Sequence, residues 1–264
     1  MSEIKIPIPT HPGNFWVFRH FEEVDSTNRV VSDLARSGLP EGQVVLADHQ
    51  SAGRGRLDRI WIDTPGSSVL MSVLLRPKFP AEFFFLITSS LSLAASQVLE
   101  SKFSIPSKLK WPNDVMVGDN KIAGVLAEAT FDSEGAPRVV IGIGLNCLQS
   151  QSELSGLGRG ATSIYAETGI TLDLNGRISL ATDIISRFSE LYLSLGDPAN
   201  RIEVASLYKR ACETIGLLVR VEMVGETLVG VASDISADGN LLVEADSRVR
   251  TVAAGDVIHM RKTS

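Results

Sequence analysis

From Phe83 to Leu99 the chain carries no charged residue. Thr88, Ser89, Ser90, Ser92, Ser96 and Gln97 interrupt the apolar run, which falls short of the roughly 20 mostly apolar residues that a membrane span needs. The segment is expected to be a buried amphipathic helix, running to about Lys102, in a soluble protein that crosses no membrane. With 264 residues, 44% of them hydrophobic, the chain can bury a substantial core without disulfide or metal staples. The length fits one large domain, or a large one with a small one. The two cysteines, Cys147 and Cys212, are too few for a disulfide framework or a cysteine-rich zinc site, and they read as reduced thiols of a cytoplasmic protein. The N-terminal Met-Ser-Glu-Ile-Lys-Ile-Pro lacks the apolar run of a signal peptide. A net charge of −6 gives no electrostatic reason for general nucleic-acid binding.

Strands and helices interleave on both sides of that segment. Phe15 to Val24 reads as a strand, followed by Asp25-Ser26-Thr27-Asn28, where Asp25 or Ser26 can cap a helix reaching about Arg36. Val44 to Ala47, Val69 to Leu75, Lys108 to Trp111, Val115 to Val117, Lys121 to Ala129 and Val139 to Gly144 read as strands. Helices over about Leu174 to Leu195 and Ile202 to Cys212 close the region. The pattern predicts an α+β domain with a mixed sheet over residues 1–214. From about Ile215 short strands follow at close spacing, with Asp238-Gly239-Asn240 as a tight-turn signal. Residues 215–264 are expected to form a small SH3-like β-barrel whose default role is a structural cap.

Three stretches are poorly explained by local folding needs. Gln50-Ser51-Ala52-Gly53-Arg54-Gly55-Arg56-Leu57-Asp58-Arg59 alternates glycine with arginine. Such backbone exposes N–H groups, and guanidinium forks match phosphate or carboxylate oxygens; a solvated loop is the plainer reading. It is not a P-loop, because the Gly-Lys-Ser/Thr ending is absent. Lys110-Trp111-Pro112-Asn113-Asp114, followed by Lys121-Ile122-Ala123-Gly124, puts amide, carboxylate and ammonium groups at a sheet rim. That suits a site where an oxyanion develops, or a hairpin whose Asn and Asp only bond the turn. Gly142-Ile143-Gly144-Leu145-Asn146 strips side chains from one face of a strand, so that a ligand or another chain segment can approach. It lacks the third glycine and following helix of a dinucleotide fingerprint.

Taken in order, these stretches and Asp25-Ser26-Thr27-Asn28 resemble the biotin–protein ligase family, the biotin–[acetyl-CoA-carboxylase] ligases. The likeness covers about residues 18–147 and extends to the C-terminal β-module that the family also carries. It implies an amide-forming ligase that joins biotin to ATP as biotinyl-5′-AMP, releases pyrophosphate, and passes biotin to one lysine of a biotin carboxyl carrier protein. The implied biotin site comprises Ser26, Thr27, Asn28 and Gln50, whose hydroxyl and amide groups suit a ureido ring, with Gly53, Gly55, Gly124 and Gly142. Arg54, Gly55 and Arg56 would form a loop that closes over the adenylate, the arginines serving binding and catalysis. Lys121 would lie at the carboxyl–phosphate junction and stabilise both transition states. Trp61 would pack beside the adenine or the loop, Asn146 would bond the adenine edge, and Asn113 would lie near the reacting centre. Asp114 would orient or deprotonate the acceptor lysine, whose free pKa near ~10.4 leaves little neutral amine at pH 7. Mg²⁺ is expected with ATP, and no resident metal site is expected.

Two departures from the family pattern bear on these expectations. Asp58 stands where family loops usually have glycine, which touches the details of loop closure. Only 24 residues precede Asp25, too few for the winged helix-turn-helix of members that repress transcription, so no DNA partner is expected. The family includes monomers and homodimers. The alternatives are a lipoate- or octanoate-handling ligase or transferase of related fold, a non-catalytic biotin or nucleotide sensor, and a nucleic-acid-binding module.

Overall fold

The structure, a computed structural model, describes residues 2–7, 15–57, 59–155, 160–223, 225–253 and 255–260. Its first part is an eight-stranded sheet made of β1 (Ser2–Pro7), β2 (Phe15–Val24), β3 (Gln43–Gln50), β4 (Ser68–Leu75), β5 (Lys108–Lys110), β6 (Asp114–Val117), β7 (Asn120–Phe131) and β8 (Pro137–Asn146). The order is β1-β2-β3-β4-β8-β7-β6-β5. β2 and β3 pair in parallel and the other neighbours pair antiparallel, so the sheet is mixed, as the interleaved pattern predicts. A parallel pair needs a crossover, and α1 (Thr27–Arg36) supplies it.

The sheet buries both faces at its centre, where every residue of β4 is buried. Period-two alternation sorts the side chains. Val45 and Leu74 meet Val31 and Ala35 of α1 on one face. Val44, Leu46, Val73 and Leu75 join the main core on the other. There α2 (Phe85–Phe103) packs against strands β5 to β8 and against α5 (Leu174–Ser194) and α6 (Pro198–Ala211). Two short helices, α3 (Gln151–Ser155) and α4 (Ile164–Thr168), precede α5.

α2 corrects two expectations. By length and composition the segment Ala81–Phe103 is apolar enough to cross a membrane, yet 67% of its most apolar window is buried inside the protein. Nor is the helix amphipathic, since Ser89, Ser90, Ser92 and Ser96 are buried along with its leucines. Ser89 and Ser90 donate back to the carbonyls of Phe85 and Leu86 (3.2 and 2.7 Å), which removes the cost of burying those hydroxyls.

β9 (Leu218–Met223), β10 (Glu226–Ile235), β11 (Leu241–Ala245), β12 (Arg248–Val252) and β13 (Asp256–His259) form a second, antiparallel sheet in the order β12-β11-β10-β9-β13. It is fastened to the first part by Trp111, which is 1% exposed. The Trp111 backbone N–H donates to Thr214 Oγ1 (3.0 Å), and its indole Nε1 donates to the Gly239 carbonyl (2.9 Å). Gly239 sits at φ +88°, and a Cβ there would lie 1.9 Å from Phe85 Cδ1. The Asp-Gly-Asn turn seats directly on α2, which only glycine allows on both counts.

Candidate active site

Two adjoining hollows lie along the rim of the large sheet. The smaller, of about 30 Å³, is lined by Ser26, Thr27 and Asn28 at the start of α1, Gln50 at the end of β3, Ser72 of β4, and Gly124, Gly142 and Gly144. Ser26 is the N-cap residue of α1, but its side chain makes no capping bond, and Asp25 instead accepts from the Ser26 N–H (2.6 Å). The polar side chains bond one another. Gln50 Oε1 accepts from Thr27 N (2.8 Å) and Thr27 Oγ1 (3.0 Å), and Ser72 Oγ lies 2.7 Å from Thr27 Oγ1 and donates to Asn28 Oδ1 (2.6 Å). The result is a buried floor of uncharged donors and acceptors with fixed directions.

The glycines of β7 and β8 make room for side chains from elsewhere in the chain. A Cβ on Gly142 would meet Asn28 Oδ1 at 2.3 Å, and one on Gly144 would meet the Trp61 indole at 2.4 Å. Trp61 lies across Gly144 and Gly124, with Lys121 Nζ 5.5 Å from its ring centroid, a cation–π contact. Its buried Nε1 has no hydrogen-bond partner among the described residues.

The larger hollow, a cleft of about 670 Å³, holds Lys121, Asp114, Asn113, Trp61, Arg54, Gly55 and Arg56. Lys121 Nζ stands 2.5 Å from Asp114 Oδ1. A register shift produces this pair. Val115 faces Ala123 while the next residue, Met116, faces Lys121, so Ile122 is unmatched on β7. The extra residue turns Lys121 onto the face that carries Asp114 and Gly124. Asn113 Nδ2 donates to the Val125 carbonyl (2.6 Å) and so ties the turn to β7, not to itself.

The glycine–arginine stretch is a tight hairpin. Gly55 N donates to the Arg59 carbonyl (2.7 Å), Trp61 N donates to the Gly53 carbonyl (3.0 Å), and Arg54 bridges to Ile60. Its arginines all have carboxylate neighbours. Arg54 Nη2 donates to Glu128 Oε2 (2.9 Å). Arg59 Nη1 donates to Asp256 Oδ1 (3.1 Å), a bond that raises the arginine's pKa further. Arg56 is drawn toward Asp114 and Asp256, but burial dominates and lowers its pKa from the ordinary guanidinium value. Asp58 lies outside the described residues.

The structure thus brings the expected residues together, with two exceptions, the first being Gly53, which lines neither hollow and lies against the Trp61 carbonyl and the Gln50 side chain. The second, Asn146, is 6% exposed and lines neither hollow, and its amide donates to the Thr162 carbonyl (3.0 Å). The sequence reading also missed residues. Ser72 joins the polar floor, Glu128 backs it through Asn28, and Arg220, Glu222 and Asp256 of the second sheet line the large cleft. A lone serine in an apolar strand gave no signal. Glu128 did, as a charge within a strand otherwise apolar from Ile122 to Ala129.

Residues 20–146 match the Biotin/lipoate A/B protein ligase family, and residues 214–260 match the Biotin protein ligase C terminal domain. A Biotin–[acetyl-CoA-carboxylase] ligase of Mycobacterium tuberculosis is 34% identical over 258 residues, 94% of this chain and 91% of that one. A Bifunctional ligase/repressor BirA of Bacillus subtilis is 29% identical over 257 residues, 97% of this chain and 78% of that one. Among solved structures, a biotin protein ligase from Aquifex aeolicus in complex with biotin and ATP superposes with a TM-score of 0.75 at 27% identity, covering 93% of this chain and 99% of that one.

Proposed function

The chain belongs to the biotin–protein ligase family, and from that membership we propose that it activates biotin with ATP and passes it to a lysine of a biotin carboxyl carrier protein. One observation carries this reading. The uncharged polar floor adjoins, across Trp61, a cleft where Lys121 stands beside Asp114 and whose lining includes the loop arginines Arg54 and Arg56. A neutral ureido ring needs the first environment, and a carboxylate reacting with a phosphate needs the second.

In the first step a carboxylate oxygen of biotin bonds to the α-phosphorus of ATP and pyrophosphate leaves. Negative charge gathers on the phosphoryl oxygens, and we assign its stabilisation to Lys121, Arg54 and Arg56, which line the cleft together with Arg59, Lys110 and Arg220. In the second step the acceptor amine bonds to the acyl carbon, the bond from that carbon to the phosphate oxygen breaks, and AMP leaves. The amine must shed a proton, and we assign its removal, or the orienting of the N–H, to Asp114, which stands 2.5 Å from Lys121. Movement of the hairpin over the adenylate would keep water from the mixed anhydride. Asn113 shapes the cleft wall through its bond to β7, and Trp61 separates the two hollows. Mg²⁺ enters as the companion of the ATP phosphates. Among the described residues no three of His, Cys, Asp and Glu gather to hold a metal of their own.

The test is the intact mass of a biotin-accepting carrier domain after incubation with the protein, biotin and Mg·ATP. A gain of one biotin that requires ATP and is much reduced with Lys121→Ala is the expected result. A gain with lipoate in place of biotin, and none with biotin, would overturn it.

A further inference from the structure

Glu128 lies on β7 and lines neither hollow, but one of its carboxylate oxygens bonds to a residue of each. Oε2 accepts from Asn28 Nδ2 (2.7 Å) and from Arg54 Nη2 (2.9 Å). Asn28 belongs to the polar floor, and Arg54 belongs to the hairpin over the cleft.

The first contact decides an orientation. A primary amide has two ends of similar size and opposite hydrogen-bonding character. A carboxylate accepts only, so the Asn28 NH₂ must turn toward Glu128 and its Oδ1 toward Ser72, from which it accepts at 2.6 Å. Without Glu128 nothing at that end distinguishes NH₂ from oxygen, and half of the floor loses its direction. The second contact is an ion pair with Arg54 44% and Glu128 35% exposed. Pairs this open contribute at most about 1 kcal/mol to stability, so strengthening the fold does not explain a carboxylate on this otherwise apolar stretch. It does give the loop arginine a fixed resting partner, tied through one atom to the residue that would touch the ring.

We propose that Glu128 is a positioning residue that sets the Asn28 amide in the ring-binding floor and holds Arg54 through the same oxygen, linking ring binding to the position of the hairpin. This rests on the biotin-ligase reading for the identity of the ring, while the Arg54 half stands without it.

The experiment compares the full-length protein with Glu128→Gln and Glu128→Ala in biotin-dependent ATP–pyrophosphate exchange. Beside it runs tryptic cleavage at the hairpin arginines of the ligand-free proteins, read by mass. Glutamine keeps an acceptor oxygen but no charge, so Glu128→Gln should hold the KM for biotin within about threefold of wild type. Glu128→Ala should raise it about tenfold or more, the loss expected for a hydrogen bond to a charged group, with a smaller change in the KM for ATP. Both variants should be cut in the hairpin up to about fivefold faster, in line with losing an exposed ion pair. An alanine variant with wild-type KM for biotin, or a glutamine variant as impaired as alanine, would overturn the orienting role. Unchanged cleavage in both would overturn the Arg54 link. Absence of exchange in the wild type would sink the ligase reading and leave the cleavage comparison to judge that link alone.

Discussion

Gly142 and Gly144 face the same side of β8, two residues apart, yet alanine should act differently at each. A Cβ on Gly142 would stand 2.3 Å from Asn28 Oδ1 and 2.8 Å from Ser72 Oγ, so the amide must retreat by about 1 Å to restore ordinary contact. It cannot do so and keep its 2.6 Å bond from Ser72 and its 2.7 Å bond to Glu128. Loss of one such bond costs about 1 kcal/mol, and overpacking a buried site costs about 1–3 kcal/mol. A net loss of about 2–3 kcal/mol lowers Tm by about 5–10 °C in a protein of this size. On Gly144 the obstacle is the Trp61 ring at 2.4 Å, carried on a hairpin that the partly exposed Arg54–Glu128 and Arg59–Asp256 pairs hold by at most about 1 kcal/mol each, so the ring can give way. Replacing a strand glycine returns about 0.5–1 kcal/mol, offsetting the lost ring contact, so Tm should change by less than about 4 °C. Fluorescence separates the two cases. Trp16 and Trp111 are 3% and 1% exposed, so a red shift on Gly144→Ala reports Trp61 leaving its seat. Gly142→Ala should show the Tm loss without that shift. Equal Tm losses, or a thermally neutral Gly142→Ala, would refute the assignment of an anchored neighbour at one glycine and a movable one at the other.

Three further outcomes are expected. Asp114→Asn should slow transfer to the carrier about tenfold more than it slows adenylate formation, measured in separated half-reactions; equal losses would remove Asp114 from proton handling. His259 donates to or accepts from Thr214 Oγ1 at 3.1 Å, and burial, with the neighbouring charge of Lys110, pushes its pKa down to about 4. The unfolded chain takes that proton near pH ~6.5, so this part of the stability is full above ~6.5 and is lost as pH falls toward 4. The Tm difference between wild type and His259→Gln should change across that window, and a constant difference would refute the shift. Cys147 is buried with its pKa pushed up to about 12, and burial also raises that of Cys212. Neither thiol should react with a disulfide reagent at pH 8 until the protein unfolds, whereupon two should; fast reaction in the native state would contradict their burial.

Local patterns in the chain determined a good deal. The apolar segment Phe15–Val24, expected as a strand, is β2 end to end, because aromatic and β-branched side chains suit a pleated, half-buried backbone. Most residues of the motifs that resemble the family line the two hollows, though Asn146 and Gly53 do not. Other features were legible and were passed over. Asp197 accepts from Ala199 N (2.8 Å) ahead of Pro198, a helix start that places α6 four residues before Ile202. What tertiary structure decided is of another kind. Lys121 reaches Asp114 because one residue is unmatched between β6 and β7, and register is a property of two strands together. α2 is apolar and serine-bearing all round because layers close on it from every side, which no periodicity within the helix announces. Glu128 meets Asn28 from 100 positions away and Arg54 from 74, and Arg59 meets Asp256 from 197. A sequence displays the chemistry of a residue and of its near neighbours; which distant group completes a hydrogen bond depends on how the elements stack, and that is settled only when the whole core packs.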